Sequence, residues 1–284
     1  MSFAEILLLG ALAGFTIFLG IPIATLTSLS TRAKGVLNGI ATGILLFLMI
    51  EILGKVFPAG EQAFDRLAHG QGDATAAWTL VLLIAGVAVG LIGIPLLEKK
   101  VIGPTLMRRQ SEGEVRLEAT GGSGVGTAAP PSYEMHPQTL AFSIASGIGL
   151  HNFGEGLAIG QSAASGALSL AWVLIIGFGL HNTTEGFGIA APLSGTRSKG
   201  GYIFLLGLIG GGPTLIGTLV GATWTSTLAS VAFLSLAGGS LAYVTPELLR
   251  LGRHTLQKLP LLTAVVVGLF LGYFTDLLVG FAGA

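Results

Sequence analysis

Apolar runs of about 20 residues follow one another along nearly the whole chain, and each is long enough to cross a bilayer as a helix. Only 10% of the 284 residues are charged, against about 25% in an ordinary soluble domain, and 51% are hydrophobic. The chain therefore reads as an all-α polytopic membrane protein, a single helix bundle spanning 1–284. Its 45 glycines suit close helix packing, because small residues let transmembrane backbones approach.

Helices are expected at 4–27, 36–57, 75–98, 138–163, 169–191, 201–223, 228–249 and 260–281. The longest break, 99–137, holds Lys99, Lys100, Arg108, Arg109 and Arg116, then Gly121-Gly122-Ser123-Gly124 and Pro130-Pro131. It has too little apolar surface to fold alone and is expected to be a flexible cytoplasmic loop. Charge placement tests the span count. With both termini outside, 12 of the 14 basic residues fall on the cytoplasmic side, leaving only Lys55 and Arg66 outside. The expected location is the cytoplasmic (plasma) membrane. A cleavable signal is not expected, since Glu5 stands where positive charge would precede the first apolar run.

Inside two of the spans sits one polar word, written twice: Gly149-Leu150-His151-Asn152-Phe153-Gly154-Glu155-Gly156 and Gly179-Leu180-His181-Asn182-Thr183-Thr184-Glu185-Gly186. Between 148–160 and 178–190, seven of 13 positions are identical at an offset of 30. In each copy His and Glu are four apart, so they share a helix face. The short turn Ser165-Gly166-Ala167-Leu168 makes the two helices antiparallel, so the repeat is inverted and both motifs lie near mid-membrane. The expected architecture is eight transmembrane helices in a 3+2+3 inverted-repeat arrangement.

An ionisable side chain at the bilayer centre costs about 2.5–3.5 kcal/mol on insertion scales. Two imidazoles and two carboxylates there need a partner, and a divalent cation accepts both ligand types. His151, Glu155, His181 and Glu185 supply a nitrogen and oxygen set suited to Zn²⁺, Fe²⁺ or a related first-row ion. Asn152 and Asn182 add neutral oxygens or orient the primary ligands. The absence of cysteine excludes a thiolate cage, which would hold an ion too tightly for a carrier. The blander alternative is a self-neutralising His–Glu hydrogen bond on each helix, which two symmetric copies on neighbouring helices disfavour.

The chain resembles the ZIP family of zinc and iron transporters in these two motifs, of the His-Asn-x-x-Glu-Gly type. The resemblance implies eight helices, both termini outside and a long cytoplasmic loop after the third. It also implies a metal site from His151, Glu155, His181 and Glu185, with Asn152 and Asn182 able to join a second, adjacent one. Helices one, four, five and six would move as a unit against the others. The chain departs from the family where proline usually precedes the motif glutamate, having Gly154 and Thr184. Pro213 follows Gly210-Gly211-Gly212, so the glutamate that completes a second site in many members is missing, and one metal is expected rather than two. The loop also lacks the histidine cluster of many members and keeps only His136.

Other polar residues carry weaker expectations. Glu51, inside the second span, is balanced between an auxiliary ligand and an interfacial charge. Met49 beside it reads as packing. Gln161 is a pathway candidate, Glu247 a candidate for ion exit, and His136 a candidate for catching released metal. Asp276 reads as an interfacial residue, and His69 and His254 as solvated surface residues.

The functional expectation is a transporter moving Zn²⁺, Fe²⁺ or a related divalent ion toward the cytoplasm by alternating access. The ion is the transported substrate, and no organic cofactor is implied. Lipid is the surrounding partner, and an exposed scaffold face is compatible with a homodimer. With zero net charge and no basic tail, nucleic acid is not an expected partner. Two rivals stand. A membrane metalloenzyme would need a catalytic group beside an open metal position, and His-Glu-x-x-His is absent. A proton-coupled carrier of a non-metal substrate would use the motif carboxylates to move protons.

Overall fold

The computed structural model describes residues 3–22, 26, 28–97, 137–164, 168–224 and 226–281. Helices account for the described secondary structure, and no strand occurs among the described residues. In chain order they are α1 (Phe3–Phe15), α2 (Ile17–Gly20), α3 (Thr31–Ala68), α4 (Ala74–Leu97), α5 (Pro137–Ala164), α6 (Leu168–Ala190), α7 (Gly200–Gly221), α8 (Thr227–Arg253) and α9 (Lys258–Phe281). A short 3-10 turn, Ala191–Leu193, follows α6. Apart from Pro137, the expected loop 99–137 lies outside the described residues, as do His136 and 165–167 of the turn before α6.

Among the described residues, six helical segments are long and apolar enough to cross a membrane: Phe3–Gly20, Thr31–Ala68, Ala74–Leu96, Gly200–Gly221, Thr227–Arg253 and Lys258–Leu277. Helices α5 and α6 are of similar length but carry the polar motifs, which dilute their apolar character. Only 11% of the α4 span is buried, and Trp78, Ile84, Val89 and Ile92 point outward. Such a surface is stable against lipid and not against water.

Two expected helices have different limits in the structure. The span expected at 4–27 is interrupted at Thr16, whose hydroxyl donates to the Ala13 carbonyl (2.5 Å). The span expected at 36–57 begins at Thr31, capped by Ser30, and runs on to Ala68. Pro58 lies inside it and removes one backbone donor without ending the helix. Gly70, with φ 68°, supplies the left-handed residue that ends α3 after His69.

Packing groups the helices into two sets, which meet chiefly where α5 lies on α8 and where α6 lies on α9 and α3. In one, α5 lies along α7, α6 along α1 and α2, and α1 along α7. In the other, α4 lies along α8 and α3 along both α8 and α9. The main apolar core, including Leu45, Leu48, Ile144, Ile148, Leu241 and Val244, lies between the sets.

Candidate metal centre

Each motif places its His and Glu on one helical face, one turn apart, as 3.6-residue periodicity dictates. His151 Nε2 lies 3.5 Å from Glu155 Oε1 on α5, and His181 Nε2 lies 3.5 Å from Glu185 Oε1 on α6. The helices bring the two imidazoles together with ring centroids 6.1 Å apart and planes at 63°. All four side chains are buried, with exposures of 1%, 5%, 4% and 0% for His151, Glu155, His181 and Glu185.

A third helix contributes the residue that the sequence left balanced. Glu51 of α3 points its Oε2 at His181 Nε2, 3.9 Å away. One ligand atom from each of Glu51, His151 and His181 lies within 4.8 Å of the other two. Among the described residues it is the one group of three such side chains whose ligand atoms come that close together. The other oxygen of Glu51 is paired with Lys55, one turn along α3. Glu51 and Lys55 are four apart, the spacing of a helical ion pair, so their association was legible; sequence alone did not show that they face the motif helices.

The asparagines have different partners. Asn152 donates to Glu185 Oε2 (2.8 Å) and to the Gly210 carbonyl on α7 (3.1 Å). Asn182 donates to the Ala13 carbonyl (3.0 Å), and Thr183 to the Thr16 carbonyl (3.3 Å). The interruption at Thr16 thus turns the α1–α2 backbone into an acceptor surface for the second motif. Nothing in the sequence marked those carbonyls. Both asparagine Oδ1 atoms are buried without a hydrogen-bond partner, as are His151 Nε2, His181 Nε2, Glu51 Oε2, Glu155 Oε2 and Glu185 Oε1.

So many unpartnered donors and acceptors in one place is costly, because a buried unsatisfied polar group costs about 1–3 kcal/mol. The His–Glu separations of 3.5 Å are compatible with shared coordination as well as with a loose ion pair. Two ligands of a tetrahedral ion with bonds of 2.0–2.1 Å are about 3.3–3.4 Å apart, close to the His–Glu separations. A neutral hydrogen bond would draw the same atoms to about 2.9 Å. Glu155 and Glu185 lie outside the converging group of Glu51, His151 and His181, so each motif carboxylate meets the imidazole of its own helix rather than both. The residue types present are ones that suit a first-row divalent cation. Drawing Glu51, His151 and His181 onto one ion requires closure of about an ångström.

The remaining candidates lie elsewhere. Met49 is packed against the apolar core. Gln161 is exposed near the end of α5. Glu247 pairs with Arg250 (3.9 Å) on α8. No carboxylate comes from α7, where Gly210 offers a carbonyl and Thr214 a buried hydroxyl without a partner.

No protein-family model matches the chain, and no curated protein matches it.

Proposed function

We propose that the chain carries divalent metal ions across a membrane, with Zn²⁺ or another first-row ion as cargo. The observation that supports this most strongly is the cluster of buried imidazoles and carboxylates, at coordination spacing, with unpartnered ligand atoms. His151, Glu155, His181 and Glu185 form the ligand set, Glu51 joins from α3, and Asn152 and Asn182 orient or extend it.

The proposed architecture has eight spans, α1 with α2 counting as the first, in a 3+2+3 inverted repeat. The packing supports it. Exchanging α5 with α6, α1 with α7, α3 with α8 and α4 with α9 turns the α5–α7 pair into α6–α1 and the α4–α8 pair into α9–α3. In this reading the termini face outward, 99–137 faces the cytoplasm, and the chain sits in the plasma membrane. Transport moves α1, α2, α5, α6 and α7 as one body against α3, α4, α8 and α9, delivering the ion inward.

Reconstitution into proteoliposomes tests the proposal. Zn²⁺ or Fe²⁺ should enter, and His181→Ala should abolish uptake while the variant inserts normally. Undiminished uptake by that variant would remove the site assignment. Proton movement in the absence of any metal flux would favour the non-metal carrier instead.

A further inference from the structure

The two oxygens of Glu51 are not equivalent. Oε1 is paired with the Lys55 ammonium, while Oε2 faces His181 Nε2 at 3.9 Å with no hydrogen-bond partner. One carboxylate thus has a cation on one side and the candidate ion position on the other. The Lys55 side chain is 50% exposed and the Glu51 side chain 13% exposed, so the ammonium stands at the more open edge of the cluster. Lys55 is also near enough to interact electrostatically with Glu155 and, less strongly, with Asp276 on α9.

The location of this pair matters as much as its contacts. Both Glu51 and Lys55 belong to α3, in the helix set opposite to the one bearing the two motifs. If the motif helices move, Glu51 is left behind. A carboxylate largely withdrawn from solvent is costly when it loses its partner. A lysine on the same helix moves with the carboxylate and prevents that penalty. Its flexible four-carbon stem and point charge suit a cation that must come and go.

We propose that Lys55 is a tethered counter-cation of the ion site. Resting on the carrier reading above, it holds Glu51 when cargo is absent. An incoming divalent ion displaces it toward Asp276, and its return helps expel the ion. Lys55 is in this account a positioning residue that sets affinity and release. It touches Glu51 and not the cargo.

The test is calorimetric titration of the full-length purified protein with Zn²⁺, paired with uptake kinetics in proteoliposomes. Lys55→Gln removes the competing charge and should tighten Zn²⁺ binding about tenfold, lowering both KM and the maximal uptake rate. Lys55→Arg keeps the charge and should bind Zn²⁺ like the wild type. Asp276→Asn removes the alternative resting place and should weaken binding severalfold, which provides a second reading if Lys55→Gln is poorly folded. Unchanged or weaker Zn²⁺ binding by Lys55→Gln, with wild-type binding intact, overturns the role of Lys55 alone. A wild-type protein that takes up no Zn²⁺ in either assay overturns the carrier reading and this one together.

Discussion

The two helix sets are held together in the same way, yet they meet each other differently. Within the motif set, a methyl group on Gly186 would overlap the Ile17 carbonyl, one on Gly156 the Thr214 carbonyl, and one on Gly217 the Phe153 carbonyl. Within the other set the same holds for Gly43 against Val265, Gly268 against Ile40, Gly90 against Leu236 and Gly239 against Val87. Backbone thus lies on backbone inside each set. Between the sets, the nearest atoms to such a methyl belong to side chains: Ser240 Cβ at 3.2 Å from Gly147, Leu234 at 3.3 Å from Gly154, and Leu45 at 3.6 Å from Gly188.

Interlocked backbones resist sliding, because no rotamer change relieves a clash between main chains. A surface of leucine, isoleucine and valine side chains can repack, as sheared helices do. In the proposed carrier cycle the contrast points to this boundary as the one that moves. The polar site straddles it, with the histidines on one side and Glu51 on the other.

Cross-linking challenges this contrast most severely. The described residues contain no cysteine, so introduced pairs report alone. Gly147→Cys with Ser240→Cys joins the sets at a Cβ separation near 3.2 Å, and its oxidation should stop Zn²⁺ uptake until a reductant is added. Thr16→Cys with Gly179→Cys joins α6 to the α1–α2 break at 4.0 Å, and its oxidation should leave the rate of that variant unchanged. Equal behaviour of the two pairs would mean that the boundary is misplaced.

Smaller effects sharpen the comparison. Gly186→Ala forces a methyl into backbone and should cost about 1–3 kcal/mol of stability, read as a lowered melting temperature in detergent. Gly188→Ala meets only the Leu45 side chain and should stay within about 0.5 kcal/mol. The smallest effect concerns the exposed start of α4. There the Ala76 N–H donates to the Asp73 carboxylate (2.9 Å) and holds its pKa below the ordinary value. A depressed pKa stabilises the fold above the unfolded value of about 3.9, and that contribution is lost as pH falls through the folded pKa. Asp73→Asn should therefore lower the melting temperature slightly in the neutral range and flatten the acid limb, where the two proteins converge.

Much of the helix pattern was legible because lipid imposes a length. α4, α5, α6 and α9 lie close to their expected limits, since each is an apolar run bounded by charge, proline or a turn. The interruption at Thr16 was not legible, because it is sustained by contacts from Asn182 and Thr183, far away in sequence. The extension of α3 past residue 57 was missed because its last turns carry polar residues that resemble a loop.

The site divides similarly. His151, Glu155, His181 and Glu185 stood out because charge in an apolar run is expensive and the motif repeats. Glu51 occurs once, and its role depends on how α3 is rotated against α6, which a single apolar helix does not encode locally. Lys55 counted only as one basic residue at the outer end of a span. Its ion pair to Glu51 places it beside the candidate site.

Zinc K-edge X-ray absorption of the metal-loaded protein tests the central claim most directly. Convergence of α5 and α6 on one ion predicts a nitrogen and oxygen shell at about 2.0–2.1 Å with scattering from two imidazoles, falling to one in His181→Ala. A shell without imidazole scattering, or one unchanged by that substitution, would contradict it.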